Sequence, residues 1–160
     1  MQGITLRYAM EVSVEACRIA EKYYAGMNKI LSQYKKENPL AEFELEESKL
    51  FELFSEISVK INNTEAVLNE MESQFLDVVD ISKFFADFRY VNTAMRVEAV
   101  LTKLFTFEKE CVLFFDTIRH CVGFEKEITQ AINVKKRHAI KLMDALLDFE
   151  TLAGLSEIWL

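Results

Sequence analysis

Residues 124–149, FEKEITQAINVKKRHAIKLMDALLDF, carry Phe124, Ile128, Ala131, Leu142, Ala145 and Phe149 at alternating steps of four and three. That repeat places them on one helix face packed against neighbouring helices. Continued through the middle of the stretch, the same steps land on Lys135 and His138. An unpartnered ammonium group at a buried position costs on the order of several kcal/mol. The stretch therefore predicts a helix in a bundle together with a buried carboxylate that meets it. The acid offered by the rest of the chain is Glu108. The competing reading is that Lys135 snorkels to solvent and Glu108 is partly exposed.

Working outward, three more stripes show the same alternating step. Immediately before lies Val97, Leu101, Leu104, Glu108, Cys111, Phe115, Ile118 and Val122, closed by Gly123 as a C-terminal cap. So short a connection makes these last two helices antiparallel neighbours. The first stripe is Leu6, Met10, Ser13, Cys17, Ala20, Tyr24, Met27, Leu31 and Tyr34. It ends near Lys35-Lys36, which suit a helix C-terminus, before Asn38-Pro39 breaks the pattern. The second helix starts in the acidic stretch Glu42 to Glu47 and continues through Leu50, Phe54, Ile57, Ile61, Thr64, Leu68, Met71 and Phe75.

Between the hairpins, Leu76 to Thr93 is long enough to cross the bundle and has room for a short helix. Its aromatic cluster, Phe84, Phe85, Phe88 and Tyr90, fits a dimer surface or the underside of the crossover equally. The expected architecture is all-α: one domain over residues 1–160, a four-helix bundle of two antiparallel hairpins joined by a long crossover. Helices in a hairpin rise equally per residue. Glu108 and His138 each lie fifteen residues from Gly123, and Cys17 mirrors Ile61 to Thr64 about Asn38-Pro39. The sequence thus places one polar level through Cys17, Ile61/Thr64, Glu108 and Lys135/His138.

Composition narrows the function classes. A chain of 160 residues with 51% apolar content, four glycines and one proline suits a single helical domain with its own core. A net charge of −7 argues against a nucleic-acid partner, and the short basic runs read as solvated faces or helix ends. Cys17, Cys111 and Cys121 lack C-x-x-C spacing and read as small core residues of a reducing compartment. No apolar run is long enough to span a bilayer and Met1 to Glu11 has no signal-peptide core, so a cytoplasmic protein is expected. His120 fits the dipole at a helix C-terminus, and Tyr23 and Tyr24 fit core packing better than redox chemistry.

Several segments resemble the ferritin-like superfamily, closest in style to its rubrerythrin branch. Phe107-Glu108-Lys109-Glu110-Cys111-Val112-Leu113-Phe114-Phe115 is similar to that family's third helix, and Lys135-Lys136-Arg137-His138-Ala139-Ile140-Lys141-Leu142 to its fourth. Leu53-Phe54, Ile57-Ser58 and Leu68 match the apolar frame of the second, and Tyr23-Tyr24 suit the first. The resemblance implies a homodimer and a dimetal centre held by a Glu on the first and third helices and Glu-x-x-His on the second and fourth. Of those six ligands this chain matches two, Glu108 and His138. Cys17, Ile61, Thr64 and Lys135 stand at the other positions, and no C-x-x-C pairs of an electron relay follow the bundle.

The expectation is a degenerate site in which Lys135 replaces the metal and pairs with Glu108, helped by His138 or Thr64. The protein is then a non-catalytic structural or binding module without a cofactor. The alternative is an oxidoreductase with a reduced, mononuclear iron or zinc site built from Cys17, Glu108 and His138. A third reading is an apolar ligand pocket beside Cys17 and Ile61. No glycine-rich phosphate loop or Ser-His-Asp constellation is present.

Overall fold

The computed structural model describes residues 4–34, 40–61, 69 and 97–159, without the side chains of 30–34, 97, 121–122 and 149–159. Among the described residues there are four helices: α1 (Leu6–Tyr34), α2 (Phe43–Lys60), α3 (Val97–Val122) and α4 (Glu125–Trp159). The predicted crossover with its aromatic cluster, and Thr64, lie outside the described residues. No described helix is long and apolar enough to cross a membrane.

Local chemistry starts and stops these helices. The Thr5 hydroxyl accepts the Tyr8 backbone N–H at 3.2 Å, satisfying one of the free donors at the start of α1. Glu44 and Glu46 lie in the first turn of α2, where the partial positive charge of the helix end favours them. Between α3 and α4, Gly123 turns the chain at φ +84°. A Cβ there would meet nothing within 4 Å, so the strain of a substitution is wholly in the backbone. Gly123→Ala is expected to cost about 1–2 kcal/mol, the penalty for an L-residue in the left-handed region, measurable as a lowered urea midpoint with unchanged slope.

Among the described residues the centres of the stripes are buried as read, while Ile61 and Phe124 at their ends are half-buried. Met10, Ser13, Cys17, Ala20, Tyr24 and Met27 of α1 are inaccessible, as are Leu101, Leu104, Glu108, Cys111, Phe115 and Ile118 of α3. Ile128, Ala131, Lys135, His138 and Leu142 of α4 join them. Each helix packs chiefly on its hairpin partner, α1 on α2 and α3 on α4. The direction of the two hairpins follows from two contacts. Glu47 of α2 and Glu108 of α3 both reach Lys135, and seven residues further along each helix Phe54 meets Phe115 with ring centroids 4.6 Å apart. So α2 and α3 run parallel, and the two hairpin turns lie at opposite ends of the bundle.

That topology corrects the expected polar level. Among the described residues it crosses α1 at Tyr24 and α2 at Glu47, where Cys17 and Ile61 were expected. Equal rise per residue fixes which residues pair within a hairpin, as Asn28 and Glu44 do at 3.4 Å. It leaves open which of those pairs faces the other hairpin. Ile61 is the half-buried C-cap of α2, away from the charged cluster.

Candidate functional site

Five side chains from all four helices meet in the interior. Lys135 of α4 is wholly buried, and its ammonium donates to Glu47 Oε1 at 2.5 Å and to Glu108 Oε1 at 3.3 Å. The Phe107 ring lies 5.0 Å from the same nitrogen, a cation–π contact that replaces some lost hydration. Tyr24 of α1 donates its phenol hydrogen to Glu108 Oε1 at 2.6 Å. Thus α1 supplies a neutral donor, α2 and α3 the acids, and α4 the bases.

His138 sits one turn beyond Lys135, where the i, i+3 spacing of a helix puts both on one face. Its Nδ1 is 3.3 Å from Glu47 Oε1 and 3.5 Å from Glu108 Oε1, and its Nε2 is 3.6 Å from Glu46 Oε2. Phe43 stacks on the imidazole with centroids 3.9 Å apart, and Tyr24 meets it edge-on at 5.7 Å. The Arg137 guanidinium pairs with Glu46 on the outer side. Oε2 of Glu47, Oε2 of Glu108 and both nitrogens of His138 make no hydrogen bond among the described residues.

Charge balance explains how so polar a group survives inside. Two carboxylates face one ammonium and one imidazole, so the cluster is neutral overall when His138 is protonated. Burial pushes Glu108 up, but the Lys135 ammonium, His138 and the Tyr24 hydroxyl outweigh it and hold the acid at about 2. Glu47 goes the other way: burial and the charge of Glu108 raise it against the pull of Lys135. Lys135, despite burial, is held protonated well above the usual range by the two acids. Burial lowers His138, yet Glu108 and Glu47 together carry it above its ordinary value.

These shifts give stability a defined pH dependence. A raised His138 contributes stability that is complete below its unfolded value near 6.5 and lost as pH rises through the higher folded value. A depressed Glu108 contributes stability present above 4.5 and lost as pH falls through about 2. Urea denaturation is expected to show stability declining above pH 6.5, and His138→Gln should flatten that alkaline limb while leaving the acid limb in place. A wild-type profile flat between pH 6 and 9 would contradict the cluster's assignment of charge.

The structure brings Lys135, Glu108 and His138 together as the sequence predicted, with the ammonium paired inward rather than snorkelling. Glu47 was missed. Its signal is in the α2 stripe: stepping back from Leu50 by three and then four gives Glu47 and Phe43, both buried. Reading the acidic stretch only as a helix N-terminus hid it. Cys17 and Cys111 are buried thiols pushed up by burial, both within electrostatic reach of Glu47, Glu108 and Lys135; the three converging ligand atoms belong to Glu47, Glu108 and His138. His120 lies exposed in the last turn of α3, its Nδ1 2.7 Å from Glu125 across the turn. Tyr23 is buried in the core.

Glu47, Glu108 and His138 each offer one ligand atom, and the three atoms lie within 4.8 Å of one another. Two metal ions do not fit this donor set, because two carboxylates and one imidazole leave most coordination positions unfilled and Lys135 adds a repelling charge among them. No family model matches this chain, and neither a curated protein nor a solved structure matches it.

Proposed function

We propose that this chain is a ferritin-like bundle of the rubrerythrin style whose dimetal position has been taken over by Lys135, and that it works as a non-catalytic structural or binding module. One observation carries the reading. The ammonium of a fully buried lysine lies 2.5 Å from Glu47 and 3.2 Å from Glu108, the position in which a divalent cation would share the same two carboxylates. Lysine at that point supplies the positive charge that the two acids require, with no ion to acquire or lose. The resemblance further suggests a homodimer, which sedimentation equilibrium would detect.

A second reading is favoured by the convergence of Glu47, Glu108 and His138 on one point. If Lys135 swings aside, these three form a two-carboxylate, one-imidazole set suited to a single zinc or iron ion. Metal analysis of the purified protein separates the readings. The first expects less than about one-tenth of an equivalent of any transition metal after dialysis against free Zn²⁺ or Fe²⁺, since binding must first displace a buried, paired cation. Stoichiometric metal that is lost in His138→Ala would establish the second.

A further inference from the structure

Beside the polar cluster, the seam between α2 and α4 opens into a cleft of about 870 Å³. It lies between two antiparallel helix faces, Glu42, Glu46, Lys49 and Leu53 along one and Lys141, Arg137, Val134 and Gln130 along the other. One end is ionic, with Glu46 bound to Arg137 and Glu42 3.9 Å from Lys141. The other end is apolar, formed by Leu50, Leu53 and Val134. Between them stands Lys49, exposed and with no ion-pair partner among the described residues. From residue 42 to residue 53 the seam runs about 17 Å at the helical rise.

We propose that this cleft binds one small amphipathic carboxylate, with its anionic head on Lys49 and Arg137 and an aliphatic chain along Leu50, Leu53 and Val134. Three cations face two acids in the lining, so one negative charge is missing. The Arg137 fork already holds a carboxylate, that of Glu46, and an incoming carboxylate exchanges like for like. None of the lining residues is aromatic, which suits a flexible chain better than a flat ring. The volume falls in the range of small-molecule sites, about 300–1,000 Å³. Because Glu46 also lies 3.6 Å from His138 Nε2, a head group that draws Arg137 away changes the surroundings of the buried imidazole. This site is separate from the metal question, so metal found in the core leaves it standing.

The test is calorimetric titration of the full chain with monomeric decanoate. Saturable one-to-one binding is expected, at least tenfold weaker for Lys49→Glu and for Arg137→Gln, two exposed positions outside the buried core. Decanol, which lacks the head, and butyrate, which lacks the chain, should each bind at least tenfold more weakly to the unaltered protein. The His138 imidazole signals in NMR should move on decanoate addition. Absence of saturable decanoate binding overturns the proposal. So does equal binding of decanol, equal binding by Lys49→Glu, or co-sedimentation with phosphatidylglycerol vesicles in place of decanoate binding.

Discussion

Glu108→Ala is expected to lower the unfolding free energy by about 3–5 kcal/mol at pH 7, the cost of breaking a buried charge pair from one side. Two losses combine. Lys135 is left with Glu47 alone, the acid whose ionisation burial opposes. The Tyr24 hydroxyl, which donates to Glu108 at 2.6 Å, is left without its acceptor in a site closed to water. An orphaned buried donor by itself costs about 1–3 kcal/mol. Urea denaturation of Glu108→Ala, Lys135→Met and the double variant measures the coupling. The double variant should be more stable than the sum of the singles by about 2–3 kcal/mol, because the methionine leaves no cation to strand. A loss under about 1 kcal/mol for Glu108→Ala would mean that the lysine gains nothing from it.

How far the fold could be read from the chain depended on the type of evidence each residue carries. Helix stripes are local and repeat many times, so Leu101 to Ile118 and Ile128 to Ala145 could be assigned to buried faces without knowing their partners. Gly123 marked its turn because only glycine takes φ +84° cheaply. The Lys135 to Glu108 pairing was legible for the same reason: both lie on stripes, Glu108 fifteen residues before that turn and Lys135 twelve after it. The relation between hairpins left no local trace. It is set by which layers of Phe54 and Phe115 interlock, and this moved the polar level from Cys17 to Tyr24 and Glu47. Glu47 itself illustrates a competition between two true statements. An acid in the second turn of a helix favours the dipole, and an acid on the buried stripe needs a cation; only the second made it part of the site.

Lys135→Met should be the most informative single change, because it removes the cation and keeps every acid. Glu47 and Glu108 then face each other in a closed interior with only His138 to offset them. At pH 7 the expected loss is about 3–5 kcal/mol, as for any buried pair broken from one side. The loss should shrink as pH falls toward 5, since one carboxylate, Glu47, already raised by burial and by its neighbour, takes up a proton and the repulsion ends. Unaltered protein gains no stability from Glu108 over that interval, its acid being held at about 2, while His138 contributes in both proteins, so the recovery is read as the difference between variant and unaltered protein at each pH. The same variant has exchanged a charged side chain for a neutral one beside three converging ligand atoms. Zn²⁺ at one hundred times its dissociation constant would restore about 2.7 kcal/mol by mass action, read as a rise in Tm that EDTA reverses. Neither acid recovery nor a zinc-dependent Tm would leave the ammonium of Lys135 without the metal-like role assigned to it.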